Sequence, residues 1–425
     1  MNHLILKLCV LNSVFILGCT DRDPAEPFRP NPAPVAEGVD FFSRFTAFGV
    51  GPGATYSYGQ IERLAVQLVD QAEARIDAAL GEFESSAIAD ALIRAADERG
   101  VEVRVVADTD RLAQIGFQRL FDAQSARIDV VDGDGPIQWK PIFDKDPVLR
   151  AGDQNLMVHH FIIADRHRIL NLSAGFPDGA ERLIQTGFYA ASEDISEDFT
   201  NAFDQLHGGV FSTTQTFFND SVSSDTNNRT LYPVEDGVIE LYFGPQERIV
   251  KEVIDRIYAA TASISIASEL FQNAEVARAL KYKYNAKDAD GEPVFKVKLI
   301  FGQPNEADLA GIPVSIRPGI KGSLILIDGD VPLMEREQSQ RTGSTPRPAP
   351  GVAMVLSIPL FHSAPYGTQP GNRGPEPFPQ TSDRFADANM WVVQQNLIRP
   401  TEDFTRLRET FGTLDAEATS QGGLP

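Results

Sequence analysis

The chain has 425 residues, of which 59 are acidic and 38 basic, so its formal net charge is −21 at pH 7. Hydrophobic residues make up 42% of the chain, which is enough to build a sizeable core. The excess of negative charge argues against nucleic-acid binding through general phosphate attraction. It also argues against electrostatic docking of the whole surface on anionic lipid.

The first residues are typical of an export signal: Lys7 is followed by apolar runs too short to span a bilayer. The stretch Ile16-Leu-Gly-Cys19 resembles the bacterial lipobox. This resemblance predicts a signal peptide at 1–18 and lipidation of Cys19, and the alternative is an ordinary signal with an incidental cysteine. Thr20 after the cysteine favours the outer membrane. Prolines between 24 and 34 predict an extended tether within 19–59.

Beyond the tether, helices and strands alternate in two similar series. The first series has a helix over Ile61–Val69, a strand over Ile76–Leu80, a helix over 86–98 and a strand over Val101–Ala107. The second has a helix over Ile249–Ile257, a strand over Ser263–Ala267, a helix around 276–280 and a strand over Phe295–Phe301. Apolar positions of the two series coincide at a constant offset of 188 residues, as with Phe83 and Phe271. The pattern predicts an α/β fold of two duplicated lobes, each a mainly parallel or mixed sheet with helices on both faces.

Each half then carries a strand that ends in aspartate, followed by a second strand. These pairs are Met157–Asp165 with Arg168–Ser173, and Lys321–Asp328 with Val352–Ser357. The combination resembles the phospholipase D superfamily, whose two-lobed members place one H-x-K-x-x-x-x-D motif in each half. The resemblance covers lobe 1 at 60–212 and lobe 2 at 240–412, with a linker at 213–239 and a C-terminal tail at 413–425.

The resemblance implies a chemistry whose residues are missing here. In that family one motif histidine attacks phosphorus, the other protonates the leaving oxygen, and the lysines hold the phosphate oxygens. The first half has Val158 at the histidine position and His160 at the lysine position, and the second half has Lys321 and Ser323. The aspartates match, the family's serine is matched by Ser173 and Ser357, and its asparagine position is Gly175 in the first half and roughly Pro359 in the second.

Other histidines could substitute for the missing ones. Strand alternation places His160 on the cleft side and turns His159 away unless a β-bulge intervenes. His362 could reach the same cleft, with Lys321 as the remaining cation. The candidate site residues are therefore His160, Asp165, Ser173, Lys321, Ser323, Asp328 and His362. A buried histidine without a catalytic role, and aspartates that merely form turns, are the alternatives.

Two hypotheses about function remain open. One is a non-catalytic binding module at the bacterial envelope that takes a phosphodiester or phospholipid ligand in its inter-lobe cleft. The other is an active phospholipase D-type phosphodiesterase with relocated histidines, His160 and His362. No cofactor, metal or nucleic-acid partner is expected, and the sequence specifies no protein partner. Asp132-Gly-Asp-Gly135 and Asp288-Ala-Asp-Gly291 lack EF-hand spacing and are read as turns. The insertions at 335–350 and 363–382 have no assigned role, and the second, whose composition excludes regular structure, could form a lid or rim over the cleft.

Overall fold

The structure is a computed structural model. It describes residues 45–108, 111–132, 156–207, 231–234, 237–243, 249–303, 309, 311–329, 351–357, 386–395 and 402–421. The predicted signal peptide, Cys19, His362 and the insertions at 335–350 and 363–382 lie outside these residues. No helix among the described residues is long and apolar enough to cross a membrane.

Strands and helices alternate as predicted in both halves. Lobe 1 contains β1 (Thr46–Val50), α1 (Tyr58–Asp70), β2 (Arg75–Leu80), α2 (Ser86–Asp97), β3 (Glu102–Ala107), α3 (Ile115–Ala123), β4 (Ile128–Asp132), β5 (Leu156–Met157), β6 (His160–Ala164), β7 (Arg168–Leu172), β8 (Gln185–Ala191) and α4 (Glu193–His207). Lobe 2 contains β9 (Leu231–Val234), β10 (Gly237–Phe243), α5 (Ile249–Ala259), β11 (Ser263–Ser268), α6 (Ala274–Tyr284), β12 (Lys296–Phe301), β13 (Val314–Ile316), β14 (Ser323–Ile327), β15 (Val352–Leu356), β16 (Ala386–Asp387), β17 (Asn389–Gln395) and α7 (Glu402–Gln421).

The two sheets share the same strand order over seven strands, as internal duplication requires, and lobe 2 adds β9 at one edge. The order in lobe 1 is β4-β3-β2-β6-β7-β8-β1, and in lobe 2 it is β13-β12-β11-β14-β15-β17-β10-β9. The first three strands of each order run parallel and the following pairs are antiparallel, so both sheets are mixed. The second helix of each lobe begins at equivalent caps, because Ser85 and Asn273 each accept a backbone N–H three residues on.

Three boundaries differ from those predicted. β1 begins at Thr46 and pairs with β8, so lobe 1 starts within the segment read as a tether. β10 begins at Gly237 and pairs with β17, inside the segment read as a linker. α7 continues to Gln421, where a tail was expected from 413. The sequence of α7 is too polar to stand out, and contact with both lobes stabilises it instead.

The inner faces of the two sheets share one apolar core with α4 and α7. The ring centroids of Phe188 and Trp391 lie 5.2 Å apart across the lobes. Helix α7 belongs to lobe 2 but reaches lobe 1, since Ala47 N donates to Asp403 Oδ1 over 2.8 Å. Two further cores lie on the outer faces, one under α1, α2 and α3, and the other under α5 and α6. The lobes are therefore fixed by burial as well as by connectivity.

Candidate functional site

The two motif strands, β6 and β14, begin at the junction between the lobes. Ile184 N donates to Gly319 O over 2.7 Å and Lys321 N donates to Ile184 O over 2.9 Å, which joins the two lobes through backbone bonds. Ser173 Oγ, at the end of β7, donates to Lys321 O over 3.2 Å. Lys321 and Ser173 therefore lie together, as the two-lobed cleft required.

Asp165 and Asp328 lie at the opposite ends of these strands and are not part of this site. Asp165 accepts the backbone N–H groups of residues 73–75, and Asp328 accepts those of residues 261–263. Both have left-handed φ angles, 54° and 55°. Asp165 lies five positions along the strand from His160, a span of about 16 Å. Each aspartate ties the end of a motif strand to the start of the neighbouring strand.

His160 is buried, with only 5% of its surface exposed, and it faces the outer core of lobe 1. It shares its side of β6 with Ile162 and Ala164, which pack under the outer helices. Its ring lies between two glycines: a Cβ at Gly175 would come within 2.7 Å of Nδ1, and a Cβ at Gly81 within 2.8 Å of Cε1. His160 therefore lies on the helix-covered side of β6, and Lys321 is close enough to lower the pKa of its imidazole.

His159 points to the inter-lobe side instead. It precedes β6, is 1% exposed, and its Nδ1 lies 3.1 Å from Asn389 Nδ2 of lobe 2. Asn389 also exchanges two hydrogen bonds of 3.2 Å with Asn171. Burial lowers the pKa of His159 to about 3. The ring is thus a neutral part of a buried polar contact between the lobes, and no bulge is needed to bring it there.

The pKa of His160 is also lowered to about 3, first by burial and then by the electrostatic effect of His159, Lys321 and Arg111. Its imidazole is neutral at pH 7, and its Nδ1 has no hydrogen-bond partner among the described residues. A buried polar atom without a partner is uncommon and costs stability. His160 is therefore a neutral group with an unused hydrogen-bonding position near two cations.

Both cations at this junction are paired with carboxylates. Lys321 Nζ lies 2.7 Å from Glu269 Oε1, with about a quarter of each side chain exposed. Arg111 lies 3.4 Å from Glu82. Each pairing neutralises a charge that could otherwise act on an anionic ligand. Sequence reasoning missed Arg111, Glu82 and Glu269. Glu269 directly follows β11 and Glu82 lies two residues after the end of β2, which is the signal that could have placed the two carboxylates.

The remaining motif positions have structural contacts. Val158, at the family's first histidine position, packs against the outer core of lobe 2. Ser323, at the second lysine position, is 1% exposed, and its Oγ lies 2.9 Å from Ser268 Oγ. Ser173 and Ser357 accept the backbone N–H groups of Thr186 and Asn389 over 3.1 and 3.0 Å. These side chains support the sheet ends.

The segments considered for metals differ in what the structure describes. Asp288 Oδ1 accepts the N–H groups of Asp290 and Glu292, which is turn geometry. Residues 133–135 lie outside the described part of the chain. Within the described ranges, no group of three His, Cys, Asp or Glu side chains could hold a metal.

No protein-family profile and no curated protein sequence matches the chain. Several solved structures are similar to the chain in fold. Phosphatidylserine synthase from Haemophilus influenzae is 10% identical, with a TM-score of 0.50 over 84% of this chain and 84% of that one. Polyphosphate kinase from Porphyromonas gingivalis is 13% identical, with a TM-score of 0.49 over 87% of this chain, which spans 50% of the kinase. The phospholipase D family member Nuc from Salmonella typhimurium is 15% identical, with a TM-score of 0.29 over 39% of this chain and 94% of Nuc. The likeness to the synthase is one of fold, and it confirms the two-lobed α/β architecture that the sequence predicted.

Proposed function

We propose that this protein is a catalytically inactive binding module with a phospholipase D fold, held at the bacterial envelope by a lipid on Cys19. Its ligand is a phosphodiester or the head group of a phospholipid, bound at the junction that contains Lys321. One observation carries the proposal. The four positions that hold histidine and lysine in the family are occupied here by Val158, His160, Lys321 and Ser323, and each makes a packing, hydrogen-bonding or ionic contact unrelated to phosphoryl transfer.

Electrostatics supports binding without hydrolysis. Phosphoryl transfer needs cations aimed in advance at the charge that develops in the transition state. Lys321 and Arg111 are each held by a carboxylate instead, at 2.7 and 3.4 Å. An anionic ligand can displace Glu269 from a lysine that is about one quarter exposed, at a modest cost of about 1 kcal/mol or less for a partly exposed ion pair. Such an exchange gives affinity without the fixed field that catalysis needs.

One observation favours the alternative, an active phosphodiesterase. His160 is a neutral imidazole with an unpartnered Nδ1, and the neutral form is the nucleophilic one. His362, which would have to act with it, lies outside the described residues. The alternative therefore depends on the pair His160 and His362, of which the structure describes only His160.

Turnover and binding should be measured side by side on the same protein. We expect no hydrolysis of bis-p-nitrophenyl phosphate or of phosphatidyl lipids above the background of His160→Ala and His362→Ala. Activity that is lost in either variant would establish the phosphodiesterase and end the binding proposal.

Binding of short-chain phosphatidylglycerol, followed by calorimetry, tests the site itself. We expect Lys321→Ala to weaken it at least tenfold. Lys298→Ala is the matched control, because Lys298 also pairs with a carboxylate, Asp415, over 2.8 Å, but lies elsewhere on lobe 2. Equal binding by wild type and Lys321→Ala would place the ligand elsewhere.

Anchoring at the envelope is a separate part of the proposal. Lipidation of Cys19 predicts that Cys19→Ser releases the protein from the membrane fraction, and mass spectrometry of the mature N-terminus should show acyl chains. Thr20 predicts that the wild type sediments with the outer membrane. An unmodified Cys19, or a soluble wild type, would remove the anchor and leave the binding site untouched.

A further inference from the structure

The outer helix α6 of lobe 2 has an exposed face. The equivalent face of its counterpart in lobe 1, α2, is covered by another helix. In lobe 1, α3 packs on α2, and Arg119 Nε of α3 lies 2.8 Å from Asp90 Oδ1 of α2. Phe117 and Leu120 of α3 are buried there. In lobe 1, therefore, the element that covers the outer face of α2 is a short amphipathic helix, α3.

The connection that carries α3 in lobe 1 is shorter in lobe 2. Twenty residues, 108–127, connect β3 to β4, but only twelve, 302–313, connect β12 to β13. Those of the twelve that the structure describes, 302, 303, 309 and 311–313, are not helical. Phe301 packs in the core beneath and stacks on Phe271 at 5.1 Å between ring centroids. Among the described residues, no helix packs on α6 as α3 packs on α2.

The uncovered face consists of Arg278, Lys281, Tyr282 and Asn285 of α6 together with Tyr258 of α5, and we call it the tyrosine face. The four α6 residues follow the i, i+3, i+4, i+7 spacing of one helix side. They line an open groove of about 530 Å³, together with Ala286. Tyr282 is 66% exposed and Tyr258 45% exposed, and their rings meet edge-on at 5.7 Å. Two large aromatic side chains are thus held together in solvent.

The duplication shows what changed at these positions. At the offset of 188 residues, Tyr258 and Tyr282 correspond to Asp70 and Arg94, which form an ion pair of 3.1 Å in lobe 1. An exposed ion pair has been replaced by an aromatic pair, the residue type enriched at the centres of protein interfaces.

The charges change sign in the same comparison. Arg278 corresponds to Asp90, which in lobe 1 binds the arginine of the covering helix. Lys281 corresponds to Ile93 and Asn285 to Asp97, so the acidic face of α2 has become a basic face on α6. A helix that covers α6 as α3 covers α2 would need a carboxylate where α3 has Arg119.

The geometry points to a protein-docking site: the tyrosine face binds an amphipathic, acidic helix of a partner protein, in the position that α3 occupies on lobe 1. The apolar side of that helix packs on Tyr258 and Tyr282, and its carboxylate pairs with Arg278. This site is distinct from the ligand site at Lys321 and does not depend on the proposed function.

The test uses the full chain and a helical probe taken from the protein itself. Two hydrocarbon-stapled peptides of residues 111–125 are compared by fluorescence anisotropy, one with the native Arg119 and one with Arg119→Glu. We expect the glutamate peptide to bind wild type at least tenfold more tightly than the arginine peptide. Arg278→Asp should reverse this preference. Equal binding of the two peptides, or no binding of either below 1 mM, would overturn the proposal.

The aromatic part is tested by grafting the ion pair of lobe 1. Tyr258→Asp with Tyr282→Arg should weaken the glutamate peptide at least tenfold and leave the melting temperature unchanged. Arg182→Ala is the control, because Arg182 is 86% exposed on lobe 1. Full retention of binding by the graft would overturn the proposal. So would self-association in sedimentation, or binding to phosphatidylglycerol vesicles, that the graft abolishes, because the occupant would then be a second copy or a membrane.

Discussion

Two adjacent buried histidines predict that the fold is sensitive to mild acid. His159 and His160 are 1% and 5% exposed, and burial lowers the pKa of each to about 3. An unfolded chain has an ordinary histidine pKa of about 6.5. Between these values the unfolded chain binds more protons than the folded one, so the free energy of unfolding falls as the pH falls through that window.

The magnitude follows from the two pKa values. At pH 7.5 both states carry neutral imidazoles, and the cost is close to zero. At pH 5 each unfolded imidazole is protonated, which removes about 2 kcal/mol of stability per histidine. The pair together costs about 4 kcal/mol, a large share of the roughly 5–15 kcal/mol that stabilises a typical protein.

Urea unfolding at pH 7.5, 6 and 5 measures the effect in wild type and in the double variant His159→Gln, His160→Gln. Other groups titrate in both proteins, so the difference between them isolates the two imidazoles. We expect the wild type to lose about 4 kcal/mol more than the double variant between pH 7.5 and 5, and each single variant to remove about half of that excess. His167→Gln, at a side chain 47% exposed, should leave the pH dependence as in wild type. Parallel curves for wild type and the double variant would refute the reasoning, because the rings would then be accessible to protons.

Three further predictions concern stability and can be checked by the same unfolding assay. Gly175→Ala should cost about 2–3 kcal/mol, because its Cβ meets the ring of His160 at a positive φ of 65°, whereas Gly179→Ala, with φ 63° and no atom within 4 Å, should cost about 1 kcal/mol. In a His160→Ala background the excess cost of Gly175→Ala should shrink by half or more, and an unchanged cost would mean that the ring does not fill that space. Asp328→Ala should cost about 3 kcal/mol by leaving one buried and two partly buried N–H groups without an acceptor, and Asp165→Ala should cost less, because its side chain is 22% exposed.

The sequence predicted the strands of the site but not the direction in which their side chains point. Alternation correctly separates His159 from His160, since they lie on opposite faces of the chain. A central strand is buried on both faces, so its pattern carries no signal for which face meets the other lobe. The pattern separates the two histidines but carries no signal for which of them contacts the other lobe, and the structure places His159 against Asn389 there.

The partners of the site were beyond sequence reasoning for a different reason. Glu269 pairs with Lys321 across 52 residues, and Asn389 contacts His159 across 230. Such pairings depend on how two sheets pack, and no local spacing encodes them. The aspartates were found because Asp165 and Asp328 end apolar strands, a local feature, and their role is correspondingly local.

The motif positions that match the family and those that differ from it have different kinds of contacts. Asp165 and Asp328 bind backbone N–H groups that begin the neighbouring strands, and Ser173 binds a backbone N–H of the next strand. Losing any of these would leave backbone donors without an acceptor, so folding alone is a reason to retain them. The position of His160 has no such role in the backbone, and its ring fills the space that a side chain at residue 175 would need. A substitution at position 160 therefore has to be tested together with one at position 175, because the two side chains compete for the same space.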